Sequence, residues 1–76
     1  MEKEIKKIIN NEIIVCTSAL ETLKVLPKQE RLDVIARIDE FCFIAFNIAK
    51  VLNDNILLSD IYLLALKVFG ANLLEK

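Results

Sequence analysis

The hydrophobic pattern is strongest between residues 31 and 52, where apolar residues recur at alternating steps of four and three. This spacing places them along one face of an α-helix. The first set is Val34, Ile38, Phe41, Ala45, Ile48 and Leu52. A second set, rotated away from the first, is Leu32, Ile35, Cys42, Phe43 and Phe46. One neighbouring helix cannot cover both sets, so this segment is predicted to be the central helix of a small bundle.

A similar pattern predicts a first helix over residues 2–26. Its apolar face follows the same alternation and carries one charged residue, Glu12; the full set is Ile5, Ile9, Glu12, Cys16, Ala19, Leu23 and Leu26. Pro27 disfavours α geometry at Leu26 and cannot donate a backbone hydrogen bond, but it suits the start of a new helix. We therefore expect a break at Leu26 and a second helix over residues 28–53. With so short a connection, the two helices form an antiparallel hairpin.

The third helix is predicted over residues 59–70, with Ser59 as its N-cap and Asp60 near the positive end of its dipole. An alternative start at Asn55 would give a longer helix and a shorter loop. Gly70 is placed to end the helix as a left-handed cap. Between Asp60 and Gly70 the only charge is Lys67, so this helix is apolar on nearly every side. A surface helix normally carries a polar face, and we therefore expect the third helix to lie in an interface.

Composition supports the same expectation. The chain has 76 residues, of which 55% are hydrophobic, and a domain of this size removes only about 60% of its unfolded surface from water. A second copy or another protein is then needed to cover the remaining apolar area. The predicted fold is a single all-α domain over residues 1–76, a three-helix bundle that dimerises. Its interface is predicted to contain Phe43, Phe46, Leu63, Leu66 and Phe69.

Three charged residues lie within or beside the apolar faces and are candidates for buried charges. Glu12 either reaches the rim of its helix, pairs with Lys67 at the same level of the bundle, or makes a contact across a dimer axis or with another protein. A buried pair would fix the register of the helices more than it would stabilise them. Asp39 lies between residues of the second apolar set, and we expect it at the boundary, facing water.

The chain offers few residues for catalysis. It contains no histidine, the side chain that most often acts as a general base or transition-metal ligand. Cys16 and Cys42 have no metal-ligand spacing and no cationic neighbour to stabilise a thiolate, so both are expected to be reduced core thiols. No glycine-rich loop could bind phosphate. No catalytic residue, metal or cofactor is predicted.

These observations favour a non-enzymatic interaction protein, a homodimeric adaptor, inhibitor or regulator that also binds an unidentified protein. One alternative is a small nucleic-acid-binding regulator, but the net charge is −1 and the ten basic residues are scattered. Another is a binder of hydrophobic ligands or lipid surfaces, although the third helix lacks a rim of Lys and Arg.

The expected location is the cytoplasm. The charged N-terminal segment does not fit a secretory signal, and the charge-free stretch over residues 41–49 is short of the roughly 20 residues of a membrane span. Abundant isoleucine, lysine and asparagine hint at an AT-rich genome, such as that of a phage, a mobile element or a low-GC bacterium.

Overall fold

A computed structural model describes every residue from Met1 to Lys76 and contains no β-strand. The prediction of an all-α three-helix bundle is confirmed. The molecule is an elongated rod of 39 × 18 × 15 Å. Its elements are α1 (Glu2–Glu21), a 3₁₀ turn (Leu23–Val25), α2 (Lys28–Leu52) and α3 (Asn55–Leu74).

The predicted break before Pro27 is present, but α1 ends at Glu21 and not at residue 26. Leu26 is extended, with φ −96° and ψ 149°, because the proline ring disfavours helical geometry in the preceding residue. The chain before it tightens into the 3₁₀ turn, a common ending for an α-helix. Leu23 remains buried within this turn, so the apolar face of α1 continues through it.

The predicted start of the third helix at Ser59 is wrong, and the alternative start at Asn55 is correct. Asn53 adopts a left-handed conformation with φ 56° and ψ 40°, which ends α2. The carboxylate of Asp54 then caps α3 by accepting a hydrogen bond from the Leu57 amide at 3.0 Å. The two helices are therefore joined by a two-residue connection. At the other end, α3 continues past Gly70 to Leu74.

The core contains only apolar side chains. The most extensive contact is between α2 and α3, and α1 packs against both. Twelve residues are buried, and none of them is charged. They are Ile9, Cys16, Leu23, Ile35, Ile38, Cys42, Ala45, Ala49, Leu57, Ile61, Leu64 and Val68.

Polar contacts hold both ends of α3. At its C-terminal end, the Arg31 guanidinium donates from Nε and Nη2 to the two carboxylate oxygens of Glu75, at 2.8 and 3.1 Å. The same guanidinium donates from Nη1 to the Leu26 carbonyl at 2.8 Å. At the N-terminal end, Lys6 of α1 lies 3.1 Å from the Asp54 carboxylate. Two ion pairs thus fix the ends of α3 against the other helices.

Gly70 provides a test of the helical assignment at the end of α3. Its φ is not positive, and a Cβ added there would meet no atom within 4 Å. The substitution Gly70→Ala should therefore stabilise the protein by about 0.4–1 kcal/mol, because alanine reduces the conformational entropy of the unfolded chain. Urea unfolding followed by circular dichroism measures this. A destabilised variant would contradict the helical geometry at residue 70.

The ion pairs predict a loss of stability in acid. The hydrogen bond from the Leu57 amide, with a further contribution from Lys6, lowers the pKa of Asp54 below its ordinary 3.8. The hydrogen bonds from Arg31 lower the pKa of Glu75 below its ordinary 4.5. The unfolded chain takes up these protons first, so both contributions are present above the ordinary values and are lost as the pH falls through the lowered ones.

Thermal unfolding of the Asp54→Asn, Glu75→Gln double variant, compared with the wild type between neutral pH and pH values below about 3, checks this. The Asn side chain keeps the helix cap, while both titrations are removed. We expect the melting temperature of the double variant to fall less steeply with acid. Equal slopes would show that these two carboxylates do not contribute to acid sensitivity.

Candidate functional site

The largest surface groove, with a volume of about 510 Å³, lies between α2 and α3 and is lined by no residue of α1. Its floor is formed by core residues and its walls by exposed aromatic rings. We call it the α2–α3 groove. It is lined by Asp39, Cys42, Phe43, Phe46, Asn47, Lys50, Ile61, Tyr62 and Ala65.

All five residues predicted for an interface are exposed on the isolated chain. Phe43 and Phe46 line the groove, with exposed fractions of 72% and 39%. Leu66 and Phe69 follow Tyr62 on α3 at steps of four and three, so they continue the apolar surface along the same side of that helix. Leu63 does not line the groove. Two of the five residues therefore line the groove, and helical spacing places Leu66 and Phe69 on the same side of α3 as Tyr62.

The three candidates for buried charges, Glu12, Lys67 and Asp39, are all exposed. Glu12 lies on the rim of α1, where its carboxylate accepts a 3.8 Å contact from the Cys16 thiol. Glu12 and Lys67 form no ion pair. The reason is rotational: the neighbouring Val68 points into the core, so Lys67, one residue earlier, projects about 100° away from it. Asp39 faces water, as predicted for a boundary residue.

The two cysteines are buried free thiols, which confirms the prediction that they are reduced. Burial, assisted by the nearby Glu12 carboxylate, raises the pKa of Cys16 to about 11. Burial also raises the pKa of Cys42, with a smaller contribution from Asp39. A nucleophilic cysteine needs a pKa below its ordinary value, whereas the pKa values of both cysteines are raised.

Three features of the surface were missed by sequence reasoning. Tyr62 forms one wall of the groove, and its spacing from Leu66 and Phe69 was a usable signal. Lys50 lies over the Phe46 ring, with its Nζ 5.6 Å from the ring centroid, and the four-residue spacing of this pair could also have indicated the contact. The bond between Arg31 and Glu75 joins residues too distant in sequence for any local signal.

No family model, curated protein or solved structure matches the chain. No group of three or more potential metal-ligating side chains lies together. One helix, α3, is long and apolar enough to cross a membrane when judged by length and composition alone. The sequence-based expectation of no membrane span considered only stretches without any charge. It therefore did not consider α3, which contains two charges and is longer than the predicted third helix.

The burial of both thiols predicts slow alkylation. At neutral pH, native protein treated with a maleimide should react much more slowly at Cys16 and Cys42 than the same protein unfolded in urea, because only the thiolate reacts and the folded chain shields it. Mass spectrometry measures the extent of labelling. Equal rates in the native and unfolded protein would contradict the buried positions.

Proposed function

We propose that the chain is a non-enzymatic helical interaction protein that forms a homodimer through the apolar surface around the α2–α3 groove. The observation that carries this proposal is the exposure of aromatic rings from both helices on one surface. Phe43 is 72% exposed, Tyr62 59% and Phe69 63%. Aromatic side chains supply much of the binding energy in protein interfaces, and a contiguous apolar surface on a small protein commonly marks such an interface.

The total accessible surface gives a quantitative argument. The chain exposes 5618 Å². A folded monomer of 8.7 kDa is expected to expose about 4,700 Å², so the excess is about 900 Å². A stable protein interface removes about 800 Å² from each partner. The surplus area therefore matches what one copy would lose on forming a dimer of ordinary size.

The chemistry of the groove supports binding over catalysis. Its only ionisable side chains, apart from the protonated Cys42 thiol and the Tyr62 phenol, are Asp39 and Lys50. Neither has a neighbouring histidine, since the chain has none. General acid–base catalysis requires a group with a suitable pKa within reach of the substrate. A rim of two opposite charges around an aromatic centre is typical of interfaces.

A lipid surface is the second candidate occupant, because α3 has the length and composition of a membrane span. Two observations favour self-association. First, α3 supplies a third of the buried core through Leu57, Ile61, Leu64 and Val68, and these contacts would be lost on insertion. Second, both ends of α3 are held in the bundle by the Lys6–Asp54 and Arg31–Glu75 ion pairs.

Within this proposal, the homodimer would act in the cytoplasm as an adaptor, inhibitor or regulator of another protein. Dimerisation through α2 and α3 leaves α1 on the outside of the assembly. There Ile8, Ile14 and Val15 are between 58% and 67% exposed, and they are the residues available to a target protein. Nucleic acid is a less favoured partner, because the net charge is −1 and the basic residues are scattered along the chain and do not form one basic face.

A single charged substitution tests the proposed surface. Phe43→Asp should raise the Kd of the dimer at least about thirtyfold, because it introduces an unpaired charge at the aromatic centre of the interface. Phe43 is largely exposed in the isolated chain, so the variant should keep its helical circular dichroism. Sedimentation equilibrium across a concentration series measures the Kd.

Ile44→Asp is the matched control. Ile44 is the next residue of the same helix, is 50% exposed and lies outside the groove. We expect this variant to dimerise like the wild type. A wild-type chain that stays monomeric at high micromolar concentration would contradict the proposed dimer. Flotation of the wild type with phosphatidylcholine and phosphatidylglycerol vesicles would then favour the lipid candidate.

A further inference from the structure

The charges on the rim of the α2–α3 groove have opposite signs and lie at its two ends. Both belong to α2: Asp39 at one end and Lys50 at the other. Neither forms an ion pair within the chain. The ammonium group of Lys50 instead lies over the Phe46 ring, 5.6 Å from its centroid. Each end of the groove therefore carries one unpaired charge, with aromatic residues between them.

The spacing of these side chains along α2 is the same in both directions. Asp39, Phe43, Phe46 and Lys50 are separated by steps of four, three and four, which keeps them on one face of the helix. The midpoint of the set lies between Ile44 and Ala45. A second copy of α2, laid antiparallel about this midpoint, places Phe43 opposite Phe46 and Asp39 opposite Lys50. A twofold axis repeats both pairings.

We propose that α2 packs antiparallel against α2 of a second copy, with the twofold axis between Ile44 and Ala45 and an Asp39–Lys50 ion pair at each end. This inference rests on the proposed homodimer and specifies its geometry. Phe43 and Phe46 of both copies form the centre, and Tyr62 of α3 extends it on each side. Asp39 of each copy then pairs with Lys50 of the other copy, so no charge at the ends of the groove remains unpaired.

The charges discriminate against the other arrangements of two copies. A parallel pairing of the α2 helices would bring Asp39 near Asp39 and Lys50 near Lys50, and like charges at close range oppose binding. A pairing of α2 with α3 of the second copy offers no counterion, because the α3 charges Asp60 and Lys67 do not line the groove. The ion pairs accordingly set direction and register, while the aromatic rings supply most of the binding energy.

Charge exchange tests this geometry. Asp39→Lys places lysines opposite each other at both ends, and Lys50→Glu does the same with carboxylates. Each single variant should therefore self-associate more than about tenfold more weakly than the wild type. An equimolar mixture of the two variants restores opposite charges at both ends, and so does the double variant Asp39→Lys, Lys50→Glu. Both should recover dimers with a Kd close to the wild-type value.

Glu40→Lys is the matched control, since it makes the same change of charge one residue further along α2 and outside the groove. It should leave the Kd within about twofold of the wild type. Sedimentation equilibrium measures each Kd, energy transfer between labelled variants detects the mixed dimer, and circular dichroism confirms that every variant is folded.

The outcomes separate this geometry from the proposed function. If the wild type dimerises but the mixture of variants stays as weak as each variant alone, the antiparallel register is overturned and the homodimer stands. Single variants that dimerise as tightly as the wild type would overturn the register in the same way. A monomeric wild type would overturn both the register and the homodimer.

Discussion

The structure depends on one constraint: the chain carries more large apolar side chains than a bundle of only three helices can enclose. Twelve residues are buried, whereas sixteen large hydrophobic residues remain exposed. A rod only 15–18 Å across in its smaller dimensions has room for a single row of core contacts along each pair of helices. The surplus apolar residues of α2 and α3 must then lie on the surface, and their shared orientation produces the α2–α3 groove. The same constraint is the reason why we propose a second copy of the chain as the occupant of the groove.

Polar side chains determine where the helices end and how they align. Asp54 both caps α3 and pairs with Lys6 of α1, so one carboxylate fixes the entry of α3 and its position against α1. Arg31 performs the corresponding role at the other end of α3 by binding Glu75 and the Leu26 carbonyl. With the core wholly apolar and therefore non-directional, these end contacts provide the specificity that positions the groove residues of α3 beside those of α2.

Periodicity predicted the elements that depend on local spacing. The predicted apolar faces included five residues that are buried in the structure: Ile9, Cys16, Leu23, Ile38 and Ala45.

The start of α3 was mispredicted because Ser59 and Asp54 are both good caps. The left-handed conformation of Asn53 ends α2 there, and Asp54 therefore becomes the cap. Of the alternatives for Glu12, the rim position is observed and the pair with Lys67 is absent. Connection lengths indicate which residues lie at the same level of a bundle, but they do not indicate how each helix is rotated about its axis. Phe43 and Phe46 were assigned to a second apolar set that one neighbouring helix could not cover, which agrees with their exposure on the isolated chain. The groove that they form with Tyr62 depends on how α2 and α3 pack, which periodicity does not show.

The proposed homodimer requires that a second copy of the chain covers the groove. Its most direct test is an isotope-filtered nuclear Overhauser experiment on an equimolar mixture of labelled and unlabelled protein, which detects contacts between copies only. The antiparallel dimer predicts intermolecular contacts between the ring protons of Phe43 in one copy and Phe46 in the other. Intermolecular contacts confined to Ile8, Ile14 and Val15 of α1, or the absence of any intermolecular contact at millimolar concentration, would contradict it.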